Sequence, residues 1–362
     1  MELMDGQRRV LERMNTLGPG GRLRQFDDAG MTPFLTQGWG LAGKWASAWL
    51  DLHPDPSARE LENLFVDFTP PPHDPDVYDP TLPDLYSMAG SATRIATDVY
   101  VVRANYEESQ SANATSTFFV VSRDANGHFI SKWNVKPLAE RHYSLKDEIG
   151  RWAFLGACAY YCGPLVVQQV IPLPPTGKGQ PRFAIDASQA TNGNTLMKQL
   201  SVWRWNGVEA ESLSIRSYSL YIDEDREIQI NGNLLTVPTK ETTSSFSSFG
   251  CCAEPRGIWI LRINPNSVQD LGHHFLQPQI QWADRLLAAS GAKSPAADGL
   301  ASPSVLAYLR HAEFDANMID NCHVLSSGEK GAFEISFGEG VKLWLAYKLR
   351  RGQPYFTDIR VE

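Results

Sequence analysis

The sequence predicts an α+β protein: an N-terminal helical hairpin, a central antiparallel β-rich region, and a C-terminal helix followed by a three-stranded antiparallel meander. Three observations lead there. Apolar residues recur at three- and four-residue spacing in a few segments, the first of them near the N-terminus. The middle carries short β-prone runs bounded by turn residues, among them Asn206-Gly207. The tail alternates β-prone segments with the glycine turns at Gly338-Glu339-Gly340 and Arg351-Gly352-Gln353.

The elements follow in order. A short amphipathic helix is expected around Gln7 to Leu17. Gly40 to Leu52 reads as a helix, with Leu41, Trp45, Ala48, Trp49 and Leu52 on its apolar face. His53-Pro54-Asp55-Pro56 stops it. Ser57 then caps a second helix, with Glu60 three residues on as its capping-box partner. Residues 69–84 hold six prolines and read as an extended connector.

Strands are expected at Asp98–Tyr106, Thr117–Ser122 and His128–Val135, the last two joined by a turn at Asp124–Gly127. Residues Pro137 to Phe154 have helical spacing. Strands follow at Leu165–Ile171, Arg182–Asp186 and Gln199–Trp205, and a partner runs from about Glu211 to Tyr221 beyond Asn206-Gly207. A second hairpin turns at Asn231-Gly232-Asn233, and Gly257–Ile263 is a further strand. Gln277–Ser290 and Ser304 to about Ile319 read as helices. Strands at Ala332–Phe337, Lys342–Leu349 and Tyr355–Val361 close the chain. Three regions result: 1–95, helical with its proline-rich connector; 96–290, β-rich; and 303–362, helix plus meander, packed on the central region.

The chain has 362 residues, 33 Lys and Arg against 41 Asp and Glu, and a formal net charge of −8. That balance argues against nucleic acid as a partner and against a polybasic membrane patch. The uncharged stretch Trp152–Gly177 is interrupted by Pro164, Pro172, Pro174 and Pro175, so no transmembrane segment is expected. A soluble protein follows, extracytoplasmic if a leader has been removed and cytoplasmic otherwise.

Five groups of residues could carry chemistry. Cys158 and Cys162, among five cysteines, suit a short disulfide or buried apolar thiols better than zinc, because both C-x-x-C pairs of the usual zinc patterns are missing. Cys251, Cys252 and Cys322-His323 complete that set. His142, Asp147 and Glu148 gather a base and two acids on one helix-length segment and are the candidate catalytic set, with Arg151 placed to hold Asp147 ionised. Asp223-Glu224-Asp225 starts like a calcium loop but lacks the glycine such a loop needs. Trp203 and Trp205 lie two apart on a strand and so share a face; they are candidate binding residues, or core if Arg204 between them is solvated. Gly272-His273-His274 reads as a turn.

Nucleotide-binding glycine motifs, H-E-x-x-H and G-x-S-x-G are absent, and no cofactor is expected. The reading that follows is a non-catalytic binding or scaffold protein for a protein, peptide or saccharide. The alternative is a hydrolase built around His142, Asp147 and Glu148.

Overall fold

The structure, a computed structural model, describes residues 2–6, 8–9, 31–68, 86–108, 114–132, 166–175, 179–190, 195–221, 226–240, 256–291, 294–311, 323–326, 331–336 and 342–361. Of these, 27% are helical and 54% are in strands. Every strand pair with a resolved register is antiparallel. The expected helix over Pro137–Phe154 and most of that over Gln7–Leu17 lie outside the described residues.

The chain divides into two compact units. The first comprises residues 1–218 and 263–269, the second 219–262 and 270–362.

Unit 1 contains helix α1 (Met31–Leu52), helix α2 (Ala58–Glu62) and two four-stranded meanders. The first meander is β1 (Tyr86–Ala96), β2 (Val99–Glu108), β3 (Ala114–Arg123) and β4 (Phe129–Lys132). The second is β5 (Val166–Leu173), β6 (Arg182–Ala190), β7 (Thr195–Trp205) and β8 (Ala210–Tyr221), whose last residues pass into unit 2.

The first meander is covered on both faces. Trp39, Ala42, Ala46 and Leu50 of α1 share a core with Leu61, Phe65, Tyr100, Val102, Phe119 and Phe129. On the other face, Val101, Phe118 and Val120 pack with Phe183, Ile185 and Trp203. Strict alternation along β2 and β3 produces this, because successive side chains point to opposite faces. The helix–sheet core joins residues on both sides of position 95.

The buried face of α1 differs from the expected one. Leu52 is 79% exposed and Ala48 is exposed, while Trp45 and Trp49 are only partly buried. The sheet instead receives Ala42, Gly43, Ala46 and Ser47. A Cβ on Gly43 would sit 2.7 Å from the Ser131 hydroxyl, so small residues are what allow the close approach. Trp39 and Leu50 flank these small residues on the same buried face. The Ser57–Glu60 capping box forms as the sequence predicts, with the Ser57 N–H donating to the Glu60 carboxylate at 2.8 Å.

Unit 2 holds β9 (Gln229–Asn231), β10 (Leu234–Lys240), helix α3 (Pro278–Gly291), helix α4 (Pro303–His311) and a four-stranded meander. The strands of that meander are β13 (His323–Ser326), β14 (Ala332–Ser336), β15 (Lys342–Arg350) and β16 (Gln353–Val361). Phe333, Leu343, Leu345 and Phe356 pack against Leu286, Val305 and Leu306. The hairpin of β11 (Arg256–Asn264) and β12 (Ser267–Phe275) places its tip, 263–269, in unit 1.

Two of these strands are absent from the sequence reading. Gly272-His273-His274, expected as a turn, lies inside β12, and the C-terminal meander has four strands because β13 precedes the three expected.

Candidate functional site

A cleft of about 500 Å3 opens in unit 1, where the end strands of its two sheets and helix α2 meet. Residues 91–94 of β1, residues 168–170 of β5, and Ala58, Leu61 and Glu62 of α2 line it. The volume falls in the usual range for ligand sites.

Local sequence explains each wall. β1 reads YSMAGSATRIA, and its small side chains admit neighbours from both sides. A Cβ on Gly90 would collide with the Arg103 carbonyl oxygen and come within 2.7 Å of the Phe65 ring. Ser91 pairs with Arg103 across the β1–β2 ladder. Arg103 Nε donates to the Ser91 hydroxyl at 2.8 Å, and its Nη1 donates to the Gln168 carbonyl. One guanidinium thus holds β2, β1 and β5 together.

β5 carries a bulge between Val167 and Gln169. Its Val167 N–H is satisfied by the Ser116 hydroxyl at 3.0 Å, and that hydroxyl donates in turn to Asn105 Oδ1 at 2.6 Å. The bulge leaves both Gln168 and Gln169 exposed at the cleft.

Arg94 is the second cation. Its Nε and Nη2 donate to the Tyr100 hydroxyl at 3.0 and 2.7 Å, and Nη2 also reaches Asp55 Oδ1 at 3.2 Å. The Tyr100 hydrogen bond, helped by the one to Asp55, raises the Arg94 pKa. Asp55 is 90% exposed, and a pair so open to water is weak. The cleft therefore carries a guanidinium oriented by Tyr100 and only weakly paired with Asp55.

The residues singled out by sequence fall elsewhere. Trp203 and Trp205 do share a face, but that face is the core: they are 1% and 3% exposed. Trp203 meets Phe118 edge-on at 5.2 Å and donates from its indole N–H to Ser201 at 2.8 Å. Neither ring has a face open to solvent. Arg204 between them pairs with Glu211 and reaches Asn266 Oδ1 at 2.6 Å.

His142, Asp147, Glu148, Cys158 and Cys162 lie outside the described residues, as do Cys251, Cys252, Cys322 and Asp223–Asp225. His273 stacks on Trp259 with ring centroids 5.4 Å apart. Among the described residues, no group of three or more His, Cys, Asp or Glu is placed to hold a metal ion. No helix among them is long and apolar enough to cross a membrane.

Sequence reasoning missed the cleft because its residues are scattered single polar groups on β1, β2 and β5. The one available signal was Arg94 and Arg103, nine apart on either side of a tight turn, which brings them to neighbouring strands. In comparisons with known proteins, no family model and no curated protein matches this chain.

Proposed function

We propose that this chain is a non-catalytic binding protein that takes an extended peptide segment in the cleft beside β1. The observation that carries the reading is the position of β1. It is an end strand of its sheet, with no partner on its outer side among the described residues, and it forms the floor of a ligand-sized cleft. An end strand offers a row of backbone donors and acceptors to an incoming strand. Gln168 and Gln169 supply amides for side-chain readout, and Arg94 favours a carboxylate on the peptide.

The test is selection of peptides from a random library by the full chain, followed by calorimetric titration of the selected sequences. Acidic, extended peptides are expected. Arg94→Glu should weaken them about tenfold or more, as loss of a charge-assisted hydrogen bond does. Thr93→Trp, which fills the cleft, should abolish binding. Peptides insensitive to both substitutions would overturn the reading. Turnover of the bound peptide that disappears in His142→Ala would instead establish the hydrolase alternative built on His142, Asp147 and Glu148.

A further inference from the structure

The β15–β16 hairpin of unit 2 carries a charge pattern opposite to that of the whole chain. Residues 342–361 contain five cations and one carboxylate, in a protein of net charge −8. Two of the five cations are paired, Lys342 with Glu334 at 4.0 Å and Arg360 with Asp358 at 3.3 Å. The other three, Lys348, Arg350 and Arg351, stand at the tip with no carboxylate against them among the described residues. Every residue from 348 to 353 is exposed, and Leu349 among them is 61% exposed.

The turn itself is unusual. Arg351 and Gly352 both have positive φ, 51° and 79°, the conformation of a two-residue hairpin turn that favours Asn-Gly. Arginine at the first position is disfavoured by its Cβ. Among the described residues Arg351 has no ion pair to offset that conformation, which points to a use for its charge outside the fold.

We infer that the hairpin tip docks on the surface of an anionic phospholipid bilayer. Cations at the headgroup level and an apolar side chain at the acyl boundary are what such a surface rewards together. An acidic peptide or a nucleic acid would use the three cations but leave Leu349 in water. Bases would also lack stacking platforms. Arg350 lies 3.3 Å over the Tyr355 ring, and Arg360 lies 4.2 Å over Trp344, which is 7% exposed.

The inference is independent of the cleft reading, since it concerns other residues in the other unit. The test is co-sedimentation of the full chain with phosphatidylcholine vesicles, with and without phosphatidylglycerol. Binding is expected only with the anionic lipid, and it should fall with added salt. Arg351→Gly suits the turn geometry and keeps the fold. It should weaken binding about fivefold, the worth of one cation near a charged surface. Leu349→Ser should weaken it at unchanged charge. Equal sedimentation with neutral vesicles would overturn the inference. So would no sedimentation with either lipid, or full binding by Arg351→Gly and Leu349→Ser. Tighter capture of polyglutamate or of single-stranded DNA than of anionic vesicles would overturn it as well.

Discussion

Asp186, Lys198 and Tyr218 come from three successive strands, β6, β7 and β8, and meet on the face of their sheet opposite Phe183 and Ile185. Lys198 Nζ and the Tyr218 hydroxyl donate to the two oxygens of Asp186 at 2.6 and 2.8 Å. Asp186 is 4% exposed and Tyr218 is 7% exposed. Removing one member of such a buried group leaves the others without compensation. Asp186→Ala should cost about 3–5 kcal/mol in urea denaturation, and Tyr218→Phe about 1–2 kcal/mol. Burial, with the Asp186 charge beside it, pushes the Tyr218 hydroxyl above its ordinary range. The folded pKa is the raised one, so the neutral form is the one the fold favours. That contribution is complete below the unfolded value of about 10. It is lost as pH climbs past it, because there only the unfolded chain ionises. Stability measured from about pH 8 to about pH 11 should fall less steeply in Tyr218→Phe than in the parent. An unchanged slope would remove Tyr218 from the alkaline response. Sequence reading could not find this group, whose members are 12 and 20 residues apart on strands that each look ordinary alone.

Elements were legible where chain chemistry is local. The capping box at Ser57–Glu60 and the turn after Trp205 need only a few adjacent residues. The turn shows how far that goes. Its loop spans 206–209, closed by Asn206 N–H donating to the Glu209 carbonyl at 3.2 Å, while Asn206 Oδ1 accepts from the N–H groups of Val208 and Glu209 at 2.8 and 2.9 Å. Gly207 has φ of 96° and open space around it. Gly207→Ala should therefore cost about 1 kcal/mol through backbone strain alone, read as a lowered midpoint with an unchanged denaturant slope. β1 was not legible, because YSMAGSATRIA lacks the β-branched alternation that marks a strand. It is a strand because β2 pairs along its length and because Gly90 lets Phe65 lie against it. Gly90→Ala should cost about 1–3 kcal/mol, the usual range for overpacking, and should disturb the cleft more than a substitution at exposed Gly127. Stability equal to the parent would mean that the close approach is not a constraint. The face of α1 was misread for a related reason: Ala42, Gly43, Ala46 and Ser47, the small residues between Trp39 and Leu50, carry little hydropathy.

At the scale of the whole molecule, net composition hides how charge is distributed along the chain. A net charge of −8 conceals a hairpin of opposite sign, and residues from both sides of position 95 share one core. The C-terminal meander has the same kind of dependence inside unit 2. Leu343, Leu345, Phe356 and Phe333 are fully or almost fully buried, and Ile359 joins them in one cluster with Leu286, Val305, Leu306 and Leu309 of α3 and α4. Burying each large apolar side chain contributes about 1.5–3 kcal/mol. Losing five of them removes an amount comparable to the roughly 5–15 kcal/mol that holds an ordinary domain together. A chain ending at residue 331 keeps α3 and α4 but gives their apolar faces nothing to pack on. Helices this short are marginal in water by themselves. The truncated chain should therefore aggregate, or lose the cooperative melting of unit 2 together with the helical circular dichroism of α3 and α4. A soluble truncation that melts like the full chain would show that the meander is an accessory to unit 2 and that its core lies elsewhere.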